Sequence, residues 1–177
     1  MPFYVIQTQS RAEERLLGAA QRRHPSIRER LLWPRRQLRI RRKGQWKDTL
    51  APIFPGYVFL RADEIDTATY WDVKGLTGFV RFLESNSNIL PLSRSDTELL
   101  AHFLSFGETV GNSVVTFDEQ KRIRVTSGPL RGMEGRIVKV DRRKGRARVR
   151  LELYRESFLI DFGFSALEPS TEPAAGR

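Results

Sequence analysis

The sequence predicts an α+β protein in which an N-terminal α/β sandwich domain is joined by a linker to a small C-terminal β-barrel. Three observations predict this class: an apolar run followed by an amphipathic helix near the N-terminus, a loss of periodicity in the middle of the chain, and short strand-like segments separated by turns beyond it. The predicted boundaries are 1–105 for the first domain, 106–120 for the linker, 121–168 for the barrel and 169–177 for a disordered tail.

The N-terminal domain opens with a strand and a helix. The run Phe3–Thr8 is β-branched and aromatic, which is typical of a central strand buried on both faces. Ser10 and Glu13 have the spacing of a capping box, so a helix is predicted to begin there and to stop at Pro25. Its apolar positions share one face, which we expect to pack on the sheet.

A basic hairpin and a second helix complete this domain. Leu38 and Ile40 alternate with arginines before Lys43-Gly44, a pattern that predicts a β-hairpin with an arginine-rich exposed face. The remaining predicted elements are strands at 57–60 and 79–83 and a helix opened by a capping box at Ser95 and Glu98 and ended by Gly107.

The barrel is predicted from four short segments rich in β-branched residues. They lie at 123–125, 136–140, 146–153 and 158–162, with glycine-bearing or charged turns between them.

Positive charge is concentrated in two segments. The chain of 177 residues has a net charge of +10. Residues 121–150 hold twelve Lys or Arg and two acids, a balance of +10, and residues 28–43 hold eight basic residues and one acid, a balance of +7. A solvated face explains a single charged run, whereas two such runs on folded segments favour a polyanionic partner, with nucleic acid ahead of membrane.

The sequence contains no recognisable catalytic or metal-binding motif. It has no cysteine and only two histidines, His24 and His102, neither with a partner nearby, and its glycine spacing fits no phosphate-binding loop. We therefore expect a non-enzyme with no metal and no cofactor. No apolar run reaches the length of a membrane span and the N-terminus lacks the features of a signal peptide, so a cytoplasmic protein is expected.

Several motifs resemble the NusG family of transcription elongation factors. The segment "IRVTSGPLRGMEGRIVKVD" resembles a KOW motif, and "FYVIQT", "FPGYVF" and "KGLTGFVRF" resemble the NusG N-terminal domain. The resemblance spans Phe3 to about Glu168. It implies an N-terminal domain that binds the clamp helices of bacterial RNA polymerase.

The resemblance also assigns residues to that contact. An apolar docking patch matches Gln7, Phe54, Tyr57 and Phe82, and the short threonine-rich element facing the polymerase lobe matches "DTAT", which contains Thr67 and Thr69. Ordinary core packing is the alternative explanation for Phe54 and Tyr57.

The C-terminal half departs from the housekeeping pattern. Leu130 follows Gly-Pro where an aromatic is usual, and the basic turn resembles specialised antiterminators of the LoaP type, which are associated with a hairpin in the nascent RNA. On a strand from Arg146, alternate arginines share one face while Ala147, Val149 and Leu151 face the core. The RNA-binding residues that we predict are Arg131, Arg142, Arg143, Lys144, Arg146, Arg148 and Arg150. A merely solubilising strand is the alternative.

The basic hairpin lies near upstream DNA if the N-terminal domain docks as in the family. Its candidate residues are Arg35, Arg36, Arg39, Arg41, Arg42 and Lys43, for which a solvated face is again the alternative. Two other functions compete with an antiterminator that reads RNA: a housekeeping elongation factor that couples polymerase to Rho or the ribosome, and a ribosome-associated structural protein. We expect a monomer, and the glycine-rich turns argue against a switch of the barrel to helices.

Overall fold

The computed structural model of the chain describes residues 1–167; Glu168, at the end of the predicted barrel, and the predicted tail at 169–177 lie outside the described residues. The described chain forms two compact units. Unit 1 comprises Met1–Arg36, Leu50–Val110 and Glu152–Glu156, and unit 2 comprises Gln37–Thr49, Gly111–Leu151 and the described residues from Ser157 onward.

Four helices belong to unit 1. They are α1 (Glu13–Arg23), α2 (Pro25–Arg28), α3 (Thr67–Lys74) and α4 (Arg94–Leu104). The strands up to the end of α4 are β1 (Phe3–Thr8), β2 (Leu31–Leu32), β3 (Arg35–Arg42), β4 (Gln45–Pro52), β5 (Tyr57–Arg61), β6 (Phe79–Phe82), β7 (Glu84–Ser85) and β8 (Asn88–Ile89). The later strands are β9 (Thr109–Val110), β10 (Ser113–Phe117), β11 (Ile123–Ser127), β12 (Ile137–Asp141), β13 (Arg146–Leu153) and β14 (Glu156–Ala166).

The main sheet of unit 1 has the strand order β2-β5-β1-β6, so β1 is an interior strand as its two apolar faces predict. It pairs antiparallel with both β5 and β6. The apolar face of α1 contributes Leu16 to a core that also contains Ile6, Leu60 and Phe82, all fully buried. The predicted sandwich of helix on sheet is therefore confirmed for this unit.

The predicted start of α1 at a Ser10–Glu13 capping box is wrong. The helix begins at Glu13 with Ala12 as its N-cap, and no side chain caps it. Glu13 is buried, and its carboxylate accepts a hydrogen bond from the backbone N–H of Gly56 at 2.7 Å. The Glu13 carboxylate is thus bound to a residue distant in sequence and is not available to cap the helix. In addition, Arg11 has a left-handed φ of 59°, which turns the chain between Ser10 and the start of α1.

The start of α4 also differs from the prediction, by two residues. Ser93 is the N-cap, and its hydroxyl accepts from the backbone N–H of Asp96 at 3.2 Å. Glu98, the predicted capping partner of Ser95, accepts instead from the Arg94 guanidinium at 2.9 Å. Gly107, with φ 97°, donates its N–H to the Leu104 carbonyl and follows the end of the helix as predicted.

The basic hairpin forms as predicted. Strands β3 and β4 are joined by Lys43 and Gly44, whose φ values are 50° and 79°. Two successive positive φ angles are the signature of the tight turn that matches the twist of the flanking strands.

Unit 2 contains a five-stranded sheet of order β11-β10-β14-β13-β12, the strand content of the predicted barrel. The strand of this sheet that comes first along the chain, β10, lies inside the segment 106–120 that the sequence analysis interprets as a linker. This strand pairs antiparallel with β11 and parallel with β14. The interpretation missed it because its three apolar residues stand among small, polar and acidic neighbours, which hide the alternation.

Gly128 makes the closest backbone approach in unit 2. It has φ 94°, and a Cβ built there would lie 2.6 Å from the Cα of Ser113. Ser113 is fully buried, and its hydroxyl accepts from the backbone N–H of Leu130 at 2.9 Å. The turn after β11 therefore docks on β10 through a contact that only glycine permits.

We expect Gly128→Ala to lower the free energy of unfolding of unit 2 by more than the about 1–3 kcal/mol that a left-handed non-glycine residue costs. Gly132→Ala is the matched control, because Gly132 has a similar φ of 81° but open space around its Cβ position. Urea denaturation followed by amide NMR signals of the barrel strands measures both variants. Equal losses in the two variants would show that the Ser113 contact contributes nothing.

Candidate functional site

The arginine face of β13 has the predicted alternation. Ala147, Val149 and Leu151 are fully buried, whereas Arg148 and Arg150 are exposed and Arg146 is half-buried. Because successive side chains of a strand point to opposite faces, the buried trio holds the arginines in fixed positions on the outside.

The three arginines of this face differ in their neighbours. Arg148 makes two hydrogen bonds with the carboxylate of Asp161, at 2.7 and 3.1 Å. Arg146 donates to the backbone carbonyl of Arg39 at 2.5 Å. Among the described residues Arg150 makes no ion pair. Arg148 is therefore partly neutralised, whereas no carboxylate within residues 1–167 pairs with Arg150.

The turn between β12 and β13 presents further cations. Its backbone is fixed by Asp141, which accepts from the backbone N–H of Lys144 at 3.0 Å, and by Gly145, whose carbonyl accepts from the N–H of Phe164 at 2.8 Å. Arg142 stacks over the ring of Phe117 at 3.6 Å. The turn is therefore a rigid platform for charge. Arg131, also predicted to bind RNA, is exposed on the turn that follows β11.

The basic hairpin residues divide into two groups. Arg36 is buried and donates to the Pro52 carbonyl, and Arg35 is half-buried with its guanidinium 4.9 Å from the Trp33 ring. The others are exposed: Arg39, Arg41, Arg42 and Lys43. The structure thus assigns Arg35 and Arg36 to packing and leaves the outer part of the hairpin as a charged surface.

Part of that surface meets the β12–β13 turn within unit 2. A cavity of ≈ 370 Å³ is lined by hairpin residues and by residues of the turn and of β14. From the hairpin come Arg39 and Trp46, from the turn come the three cations Arg142, Arg143 and Lys144, and from the start of β13 comes Arg146. Sequence analysis treated these as two separate basic segments and did not single out Trp46. We call this cavity the basic groove.

The aromatic residues assigned to polymerase contact are buried in unit 1. Phe54, Tyr57 and Phe82 expose 1%, 3% and 0% of their surface. Phe54 makes edge-to-face contacts with Phe59 and Phe103, at centroid separations of 5.6 and 6.2 Å. In the described conformation these rings form core, the alternative that the sequence left open for Phe54 and Tyr57.

Tyr57 nevertheless reaches the wall of a second cavity. Its hydroxyl donates to the Glu156 carboxylate at 2.5 Å, and burial together with this carboxylate raises the pKa of the phenol. The cavity, of ≈ 620 Å³, lies within unit 1 and is also lined by Gln7, Thr8 and Trp33. Gln7 accepts from the Arg81 guanidinium at 2.8 Å. We call this cavity the unit 1 pocket.

Two polar atoms of the unit 1 pocket have no partner in the described part of the chain. They are the Thr8 hydroxyl and the indole N–H of Trp33, both buried. Buried polar groups are normally satisfied, so these two atoms are exceptions, although their burial keeps them out of reach of a partner in the described conformation. Sequence analysis did not predict either residue as part of a site. For Trp33, its position immediately before Pro34 and the basic hairpin could have drawn attention to it.

Thr67 and Thr69 lie in the first turn of α3. Asp66 caps this helix by accepting from the backbone N–H of Thr69 at 2.7 Å, a hydrogen bond that lowers the pKa of the carboxyl. Thr69 is buried and Thr67 is exposed, so only Thr67 can offer its side chain to a partner.

Within residues 1–167, no group of three or more His, Asp or Glu side chains is placed to hold a metal ion. In the same part of the chain, none of the helices has the length and apolar character needed to cross a membrane.

Two family models match the chain in succession. Residues 1–101 match the model described as "Transcription termination factor nusG", and residues 119–152 match the KOW motif. A curated relative from Helicobacter pylori, "Transcription termination/antitermination protein NusG", is 25% identical over 95% of this chain and 98% of its own length. The protein of the same name from Bacillus subtilis is 22% identical over 94% of this chain and 97% of its own length.

A solved structure shares the fold. It is described as "Domain interaction in Thermotoga maritima NusG", and it covers 92% of this chain and 93% of its own with a TM-score of 0.52 and 16% identity. The similarity extends over both halves of the chain.

Proposed function

The chain belongs to the NusG family, and from this membership we propose that it is an antitermination factor that binds bacterial RNA polymerase through unit 1 and nascent RNA through unit 2. The order of the two matched regions and the shared fold support a NusG-type transcription termination and antitermination factor. The observation that supports RNA binding is the +10 balance of residues 121–150, carried on rigid strands and turns of unit 2.

The unit 1 pocket is the surface that we propose for the polymerase clamp helices. It is lined by Gln7, Thr8, Trp33 and Tyr57 together with Ser10 and Arg11. Phe54 and Phe82 do not line this pocket, and their buried rings contribute through the core of unit 1. Thr67, exposed at the start of α3, is the proposed contact with the polymerase lobe.

The outer surface of unit 2 is the surface that we propose for an RNA hairpin. Guanidinium groups bind phosphates bidentately, and their fixed spacing on β13 suits the regular backbone of a stem. The same charge favours a specialised antiterminator of the LoaP type over a housekeeping factor coupled to Rho or the ribosome. Exposed arginines of the outer hairpin, such as Arg41 and Arg42, remain available to upstream DNA.

In vitro transcription with bacterial RNA polymerase tests this proposal. The template encodes an RNA hairpin upstream of an intrinsic terminator, and we expect the protein to raise read-through only when the hairpin is present. Thr67→Asp should weaken polymerase capture while leaving α3 intact, because a carboxylate is favourable in the first turn of a helix. Ser95→Asp makes the same change in the first turn of α4 and is the matched control.

Each result has a distinct meaning. Failure to capture polymerase would refute the assignment of unit 1, and equal loss in the two Asp variants would refute the role of Thr67. Read-through that does not depend on the hairpin, together with binding to Rho or to ribosomes, would establish the housekeeping alternative.

The Arg148–Asp161 pair allows a test by gain of function. We expect Asp161→Asn to release Arg148 and to steepen the slope of log K against log salt for RNA hairpin binding by about 0.7–0.9, the value for one added phosphate contact. Glu98→Gln is the control, because it releases Arg94 from a similar exposed pair on α4 in unit 1. A steeper slope in both variants would mean that net charge alone governs binding.

A further inference from the structure

The basic groove brings together residues that are far apart in sequence. Arg39 and Trp46 come from the β3–β4 hairpin, and the remaining cations come from the β12–β13 turn and the start of β13, about a hundred residues later. Its described lining contains five Lys or Arg side chains and no Asp or Glu. A concave surface with one sign of charge concentrates anions more strongly than an open face.

The groove has an aromatic wall, which the arginine face of β13 lacks. Trp46 is 43% exposed, and the Arg39 guanidinium lies 5.7 Å from the centroid of its ring. An exposed indole flanked by a guanidinium is the combination on which unpaired bases stack in single-strand-binding proteins. Core packing does not account for Trp46, because almost half of its surface is in solvent.

The walls of the groove are held in place by direct contacts. Arg146 donates through one terminal nitrogen to the Arg39 carbonyl, which ties the turn to the hairpin. The Nε of Arg146 is buried and has no hydrogen-bond partner in the described chain. Gly145 has φ 59°, and a Cβ there would lie 2.8 Å from the Phe164 carbonyl oxygen, so backbone packs tightly at the base of the turn.

We propose that the basic groove binds one unpaired nucleotide, with its base stacked on Trp46 and its flanking phosphates bound by Arg142, Arg143 and Lys144. The volume of ≈ 370 Å³ lies within the range of pockets that hold small ligands. Among the described residues Arg143 makes no ion pair, which leaves its guanidinium available for a phosphate.

This inference rests on the proposed function and deepens it. A hairpin has unpaired nucleotides in its loop or beside its stem, so the β13 face can bind the stem while the groove binds one such nucleotide. The sequence alone favours a folded stem over splayed bases, because residues 121–150 contain no aromatic side chain on which bases could stack. Folding supplies the missing aromatic from the hairpin.

Binding measurements on the full chain test the groove. The ligands are a fluorescein-labelled oligouridylate of about eight nucleotides, the oligodeoxythymidylate of the same length, and a blunt RNA duplex and an RNA hairpin carrying the same label. We expect Trp46→Ala to weaken oligouridylate binding about 5- to 150-fold, the effect of losing one base stack, and to leave duplex binding unchanged. Trp46→Phe should restore part of the affinity.

Trp71→Ala is the matched control. Trp71 is 59% exposed on α3 in unit 1, has a lysine ammonium 4.6 Å from its ring and lies outside the groove, so its loss should not change oligouridylate binding. Intrinsic fluorescence gives a second readout, because a base stacked on Trp46 quenches it. We expect the quenching by oligouridylate to be lost in Trp46→Phe and retained in Trp71→Ala.

The outcomes separate this inference from the proposed function. Unchanged oligouridylate affinity in Trp46→Ala, or an equal loss of affinity in Trp71→Ala, would overturn the proposal that the basic groove binds a nucleotide. Duplex or hairpin binding in the same experiment would leave the proposed function standing. Trp46-dependent oligouridylate binding without any hairpin binding supports the groove and refutes the hairpin proposal. Equal affinity for the DNA oligomer identifies the ligand as single-stranded nucleic acid of either kind, whereas weaker DNA binding identifies it as RNA.

Discussion

Truncating Phe54 or Phe82 to alanine is expected to lower the free energy of unfolding of unit 1 by about 3–5 kcal/mol, the cost of removing a fully buried aromatic ring and leaving a cavity. Phe54 contacts two other rings, and Phe82 lies 6.1 Å from Tyr70 and 5.6 Å from Phe79 between ring centroids. All four α-helices of the described chain belong to unit 1, so the α-helical signal in circular dichroism during urea denaturation measures this loss.

Phe106→Ala is the matched control for this prediction. Phe106 is 42% exposed, and truncations at such surface positions usually change stability by less than about 0.5 kcal/mol. If Phe54→Ala and Phe82→Ala are as stable as Phe106→Ala, their rings are not part of the core in solution. Both residues then become candidates again for the polymerase-docking patch that the family resemblance implies. If they are destabilised as expected, a polymerase pull-down with either variant measures folding as well as contact.

The backbone of the fold was predictable because most elements have strong local signals. The alternation of Ala147, Val149 and Leu151 with arginines is a property of neighbouring residues, and the structure confirms it. The Lys43-Gly44 turn is equally local, since only the twist of its own hairpin decides its φ angles.

Strand β10 and two contacts that the sequence did not indicate depend on residues that are distant along the chain. Strand β10 exists because it pairs with β11 and β14, and Gly128 closes on Ser113 from fifteen positions away. Glu13 has the spacing of a capping residue, yet its carboxylate binds the backbone of Gly56. Side-chain spacing within a short window carries no information about such partners.

The candidate site shows the same division. Charge counts predicted the basic surface of unit 2, but they gave every arginine equal weight. The structure separates Arg148, which is paired with Asp161, from Arg143, which makes no ion pair in the described chain. It also places Trp46 beside the basic turn, which no pattern in either segment indicates.

Replacing the three cations of the β12–β13 turn, Arg142, Arg143 and Lys144, by alanine is expected to flatten the slope of log K against log salt for RNA hairpin binding by about 2–3. Each neutralised phosphate contributes about 0.7–0.9 to that slope through release of bound counterions. At about 0.1 M salt the change corresponds to a loss of roughly 100- to 1,000-fold in affinity if the two lines converge near 1 M. Lys144 lies 3.8 Å from Asp141, so the lower end of the range applies if that pair persists in the complex.

The control variant for this prediction removes the same number of charges from unit 1, at Arg15, Arg22 and Arg94, which are exposed on α1 and α4. Both variants have the same net charge, so a difference between them measures where the charge lies. Circular dichroism must show both proteins folded, because Arg142 stacks on Phe117 and its loss removes that contact. Salt titrations of the two variants and the wild type decide the outcome. Equal flattening in both variants would reduce RNA binding to nonspecific attraction by net charge, and an unchanged slope in the turn variant would remove the turn from the interface.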